Sequence, residues 1–333
     1  MNVKQRKIEQ VSAGRRLILL GALILGLAPQ AALAQTFPDR LVTIVVPGPP
    51  GSSVDASARA VAQSMSKSWK VPVVIENRPG ASATLGTAVV ARAAADGHTL
   101  LYTFTPFVQA PHIYKSLSYD PVKSFVPVIQ TVNAPLWLGV NASLPARSVK
   151  EFVALAKAAP GKITYATPGA GSTAHLFGTL LARTTSADML HVPYKGVPPG
   201  VLDVSTGLVS SLFASYSDLA SYVQSGKIRL LASTGTHRST LTPDILTMKE
   251  AGFPGFEAVG FGGFFAPAGT PASTVKRIAD TVAQAMAQKE IQNQMVGFGL
   301  EPVTSSPAEF DALVKAQLDL WKQIIINTGV KLE

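Results

Sequence analysis

The chain has 333 residues, 47% of them hydrophobic and 15% charged, with a formal net charge of +9 and no cysteine. Its lysines and arginines are dispersed, which excludes a basic nucleic-acid stripe. The missing cysteines exclude disulfide staples and thiol chemistry, and a chain this long buries an ordinary core without them.

The first segment reads as an export tag. Lys4, Arg6, Lys7, Arg15 and Arg16 form a basic start, Leu17 to Leu27 an apolar run, and Ala32-Leu33-Ala34 a small-x-small site before Gln35. This is the pattern of a secretory signal peptide over residues 1–34, cut after Ala34. The run is short for a membrane span, which takes roughly 20 apolar residues. The expected location is the periplasm.

Beyond Gln35, short β-branched runs alternate with helical stretches. The first strand, Leu41–Val46, enters Pro47-Gly48-Pro49-Pro50-Gly51 and then a helix over 53–68. Val54, Ala58, Val61 and Met65 share one stripe of that helix, and Asp55 can pair with Arg59 four residues on. Further strands are predicted at Val73–Ile75, Thr99–Thr103, Leu136–Val140, Ile163–Ala166, Met189–Val192, Ser210–Ala214, Ile228–Ser233 and Phe256–Phe265. Helices are predicted at Thr84–Ala95, Ser148–Ala159, Ser172–Arg183, Ser217–Gln224, 272–296 and 307–327. The alternation implies an α/β fold with mostly parallel sheets flanked by helices.

Two strand-to-helix loops carry the candidate chemistry. In the first, Gly48 and Gly51 admit positive φ and close backbone approach, Pro49 and Pro50 stiffen the loop, and Ser52 or Ser53 can cap the helix. A second copy runs through Gly169-Ala170-Gly171-Ser172-Thr173. Unpaired N–H groups at such helix starts favour an anion. The pattern fits a carboxylate site and equally a tight, well-capped turn. Asp55 is a helix-dipole and Arg59 partner or a ligand contact. His175 donates to a ligand or bonds locally. Asp203 takes an amine or hydroxyl of a ligand or satisfies a nearby loop. Tyr102, Phe104, Thr105 and Phe107 line a cleft or belong to the core. The five histidines are isolated, without metal-ligand spacing. No cofactor fingerprint is present, and the loop at Gly169 misplaces its serine for a nucleophile elbow. We therefore expect no metal, no cofactor and no enzymatic activity.

A series of short motifs follows one order along nearly all of the chain after the tag. They are Phe37-Pro38-Asp39-Arg40, Ile75-Glu76-Asn77-Arg78-Pro79-Gly80-Ala81, Asp96-Gly97-His98-Thr99-Leu100-Leu101, Tyr119-Asp120-Pro121, Gly169-Ala170-Gly171-Ser172 with His175, His191-Val192-Pro193-Tyr194-Lys195-Gly196 and Ala266-Pro267-Ala268-Gly269-Thr270-Pro271. Together they resemble the Bug-type, TctC-like periplasmic solute receptors, the substrate-binding component of tripartite tricarboxylate transporters. The resemblance implies a two-lobed periplasmic-binding-protein fold, type II-like, with crossing hinge strands. Lobe 1 would be 36–135 plus 262–333 and lobe 2 would be 136–261. It implies capture of a small organic acid between the lobes and delivery to membrane permease subunits. The carried-over ligand residues are Gly48, Pro49, Pro50, Gly51, Ser52, Ser53 and Asp55 in lobe 1 and Ala170, Gly171, Ser172 and Thr173 in lobe 2, with Thr105, Phe107 and Asp203 as further candidates.

The chain departs from the family pattern at Ser52, Ser82 and Ala83, where relatives usually carry glycine, and at Phe107, where many carry a polar residue. These changes point to a more apolar or aromatic acid. The protein is expected to be a monomer without a nucleic-acid partner. A sensory protein that presents ligand to a membrane kinase would share these features. A periplasmic α/β hydrolase would need a nucleophile that the sequence does not display.

Overall fold

Consecutive β-branched residues start the fold. Val42–Val46 (β1) buries Ile44, Val45 and Val46 in succession, as a strand covered on both faces must. The structure is a computed structural model that describes residues 37–330, so the export tag lies outside the described residues. β1 pairs in parallel with Val73–Asn77 (β2) and Thr99–Phe104 (β3). Beyond β3 lie Phe125–Ala134 (β4), Gly260–Pro267 (β10) and Glu301–Pro302 (β11), giving the sheet order β11-β4-β10-β3-β1-β2. A second sheet is built from Trp137–Asn141 (β5), Ile163–Thr167 (β6), Met189–Pro193 (β7), Ser211–Ala214 (β8) and Ile228–Ser233 (β9), in the order β7-β6-β8-β5-β9.

The expectation of mostly parallel sheets needs correction. β10 is antiparallel to both β3 and β4, β11 is antiparallel to β4, and β5 is antiparallel to both β8 and β9. The cause is the route of the chain. It leaves the first sheet along β4, enters the second at β5, and returns along β10 into a place beside β4. Gly260 pairs with Ala134 where the two crossing strands meet. A Cβ on Gly260 would stand 2.7 Å from the Ala134 carbonyl and 2.8 Å from Thr105 Oγ1, so only glycine fits there.

The helices are Ser53–Trp69 (α1), Thr84–Ala91 (α2), Pro106–Ile113 (α3), Val149–Ala158 (α4), Thr173–Thr185 (α5), Val197–Thr206 (α6), Tyr216–Gln224 (α7), Ala272–Met286 (α8), Lys289–Gly297 (α9) and Pro307–Thr328 (α10). The last is stopped at both ends by chemistry. Ser306 and Glu309 form a reciprocal capping box, and Gly329 closes the helix at φ 63°. α10 serves both sheets. Its Phe310 packs on Phe261 and Phe265 of β10, and its Trp321 lies 5.3 Å from the Phe177 ring of α5. Phe177 in turn meets Phe213 of β8 and Phe256.

Besides the two-residue β11, three longer elements escape the sequence reading. Pro127 disguises β4, but the ladder skips a residue between Ile129 and Pro127, so the proline sits at a bulge. α3 contains Pro106 and Pro111, and α6 opens on Val197-Pro198-Pro199-Gly200, so both look like loops. The long helix expected over 272–296 is two helices, because Gln288 takes an extended conformation (ψ 123°) and starts α9.

Phe107 belongs to the core. It is fully buried, with ring centroids of Phe265, Phe125 and Tyr119 at 4.5, 5.3 and 6.5 Å. Phe107→Ala is expected to lower the unfolding free energy by about 3–5 kcal/mol. Urea denaturation checks this, and ligand affinity of the folded protein should stay as it was.

Candidate functional site

β1 and β6 each end in a turn that starts a helix, and the two turns share one geometry. In the first, the Gly51 N–H donates to Asp55 Oδ2 at 2.9 Å, and the Ser52 hydroxyl donates to the Pro49 carbonyl at 2.7 Å. In the second, the Gly171 N–H donates to His175 Nδ1 at 3.1 Å, and the Ser172 hydroxyl donates to the Gly169 carbonyl at 2.7 Å. Gly51 (φ 81°) and Gly171 (φ 75°) are both left-handed, which the tight turn requires. A first-turn side chain thus holds the glycine N–H, while the next amides stay open. Among the described residues no protein acceptor takes the N–H groups of Ser53, Val54 and Asp55, or of Thr173 and Ala174. Aligned unpaired amides at a helix start make a partial positive charge.

Both turns reach one cavity of about 320 Å³. Ser53, Ser82, Pro106, Gln109 and Ala110 line it from the first sheet's side, and Pro168, Gly171, Ser172, Thr173, Phe213 and Asp218 from the second's. A hydrogen bond crosses it: Gln109 Nε2 donates to Thr173 Oγ1 at 2.9 Å. Among the described residues no lysine, arginine or histidine lines the cavity.

Four of the sequence-predicted residues, Ser53, Gly171, Ser172 and Thr173, stand in the wall. The others do not. Gly48, Pro49, Pro50, Gly51 and Ser52 shape the first turn behind Ser53. Asp55 is buried and takes hydrogen bonds from Gly51, Arg59 and Asn77, so it braces the turn and has no side-chain oxygen to spare for a ligand. Asn77 also donates to the Gly48 carbonyl, which ties β2 into the same brace. Thr105 Oγ1 accepts the Phe261 N–H at 3.2 Å where the strands cross, and Phe107 lies in the core. Ala170 is exposed at the tip of its turn. Asp203 accepts from the Tyr194 hydroxyl at 2.6 Å, away from the cavity wall. Gln109, Ser82, Ser215 and Asp218 are wall residues that the sequence reading missed. Ser215 followed by Asp218 after an apolar strand was the available signal, since it repeats the serine-cap pattern of the other two helices.

Protonation follows the packing. Burial raises the Asp55 carboxyl, but the hydrogen bonds from Arg59, Gly51 and Asn77 outweigh it and hold the group below its ordinary value. Burial and the stacked His191 ring, 4.2 Å away, push His175 down to about 4. A neutral His175 is what the turn needs, because Nδ1 must accept the Gly171 N–H.

Residues 57–330 match the family described as "Tripartite tricarboxylate transporter family receptor". The chain belongs to that family. This receptor is 34% identical over 94% of its length to a UPF0065 protein from the tcbD-tcbE intergenic region of a Pseudomonas species, covering 94% of that relative. The periplasmic binding protein BugD superposes with a TM-score of 0.76 at 33% identity, covering 89% of this receptor and all of BugD. Rpa4515 of R. palustris, solved with adipate, superposes at 0.77 with 31% identity, over 88% of this chain and 98% of its own. The family places this receptor among periplasmic solute-binding proteins rather than enzymes. No described helix is long and apolar enough to cross a membrane.

Two outcomes follow from this geometry. The folded protein binds the His175 proton more weakly than the unfolded chain, so stability is full above pH 6.5 and falls as pH drops from 6.5 toward about 4. His175→Gln should flatten that slope in urea midpoints measured across the range, though not abolish it, because burial lowers His191 too. Ala81, Ser82 and Ala83 are all left-handed (φ 45°, 49° and 74°), which costs a non-glycine residue roughly 1–2 kcal/mol. Ala83→Gly is expected to stabilise the protein by about 1 kcal/mol, read as a higher urea midpoint.

Proposed function

We propose that this receptor captures a small organic acid in the cavity between its two sheets. The observation that carries the reading is the pair of matching turns, one from each sheet, whose open amides flank a single cavity. Ser53, Gly171, Ser172 and Thr173 are the proposed direct contacts, with the neighbouring N–H groups of Val54, Asp55 and Ala174 supplying the field. Gly48 to Ser52 and Asp55 hold the first turn in shape. The adipate-bound relative supports a carboxylate as the chemical class.

Each turn alone offers half a site, so ligand contacts from both exist together only when the cleft is closed. Closure is then selected by binding, with β4 and β10 as the hinge strands and the lobe boundaries near residues 135 and 261. We assign the receptor to the periplasm, exported by the segment cut after Ala34, and working as a monomer that hands its ligand to membrane permease subunits. The family description supports the permease partner.

A panel of mono-, di- and aminocarboxylates tested by thermal shift on the mature protein decides the matter. An acid at a hundredfold excess over its Kd stabilises by about 2.7 kcal/mol, a clear rise in Tm. Ser172→Ala removes a cap worth about 1 kcal/mol and a wall hydroxyl, so it should lower both Tm and affinity. If no acid in the panel raises Tm, the reading is wrong.

A further inference from the structure

The cavity meets a third serine-capped helix, and that one is built differently. β8 ends at Ala214 and α7 begins behind Ser215, whose hydroxyl accepts the Asp218 N–H at 3.4 Å and donates to Asp218 Oδ2 at 2.5 Å. Ser215 and Asp218 both line the cavity. At α1 and α5 the first-turn acceptor, Asp55 or His175, turns inward to a glycine N–H. At α7 the carboxylate lines the cavity instead, and its hydrogen-bond partners are the Ser215 hydroxyl and backbone, with no cation beside it among the described residues.

Asp218 therefore presents a partly buried negative charge to a wall with no cationic side chain among the described residues. Burial raises its carboxyl above the ordinary value, against the hydrogen bonds of Ser215, so its charge is poorly compensated without a ligand. A dicarboxylate would bring a second negative group to this wall, which holds only neutral donors, and like charges in a partly desolvated site repel strongly. A ligand with a cationic donor removes the conflict. Beside the polar Ser82, Gln109 and Tyr114, Pro106, Ala110, Ile113, Leu136 and Val197 give the wall a hydrocarbon face.

Resting on the carboxylate reading above, we propose that the ligand is an amine-bearing monocarboxylate: its carboxylate lies at the open amides of α1 and α5, its ammonium pairs with Asp218, and its carbon skeleton covers the apolar wall. The proposal narrows the ligand from organic acids in general to zwitterions of modest length.

Calorimetry of the mature protein with four probes of similar size tests this. The probes are 2-aminopentanoate, 5-aminopentanoate, pentanoate and adipate. At least one aminopentanoate should bind tenfold or more tightly than both pentanoate and adipate. This comparison uses the wild-type chain, so it does not depend on a variant folding. Asp218→Asn keeps the shape and removes the charge. It should weaken the preferred aminopentanoate at least tenfold and leave pentanoate within about twofold. Equal or tighter binding of pentanoate or adipate overturns the ammonium assignment and leaves the carboxylate reading standing. So does an Asp218→Asn variant that binds the aminopentanoate unchanged. Absence of binding by all four probes overturns the assignment too, and the wider acid panel then judges the carboxylate reading separately.

Discussion

A backbone N–H handed back to the first turn of its own helix governs this molecule. The Gly51 N–H donates a hydrogen bond to Asp55 and the Gly171 N–H donates one to His175. Each bond locks a glycine in a left-handed turn and fixes the direction in which the following amides point. Without it the serine at each cap would have several ways to satisfy itself, and the open donors would scatter. The two acceptors differ chemically, one a paired carboxylate and one a neutral imidazole, yet they stand at the same spacing from their glycines. The chain has thus reached one geometry twice, by different side chains, on two sheets.

The second constraint lies where β4 and β10 cross. Gly260 has no room for a Cβ, Thr105 takes the Phe261 N–H, and Ala134 opposes Gly260 in the ladder. A threonine that looked like a cleft residue in the sequence serves this crossing. Its hydroxyl anchors the returning strand at the point where the chain changes sheets, so strand geometry and cavity geometry are fixed by adjacent residues: Thr105 holds the crossing, and Pro106 lines the cavity.

Most of the strands and the two glycine turns were legible because their signals are local: β-branched runs, positive-φ glycines and serine caps. The family motifs added the two-lobed arrangement. What stayed hidden depends on pairing at a distance. Pro127 reads as a strand breaker until its bulge opposite Phe264 and Phe265 is seen. Antiparallel placement of β10 follows from a connection more than a hundred residues long, which no window of sequence contains. Phe107 by itself reads more readily as core, the family resemblance drew it toward the cleft, and the three rings around it place it in the core. Asp55 and Asp203 illustrate the same limit, since a carboxylate near a loop declares its partner only when Asn77 and Tyr194 are in place. Asp218 escaped notice for the opposite reason. It looks like an ordinary capping acid, and its distinction is the space in front of it.

The helix α10 spans both sheets, with Phe310 seated against β10 and Trp321 against Phe177. Such a strut restricts the ways in which the halves move. A swing that pulled the indole from Phe177 would expose a large aromatic surface to water, so that contact opposes any motion that separates the halves there. In the closure proposed above, with β4 and β10 as the hinge, this aromatic seam would stay seated and the glycine turns would travel at the rim.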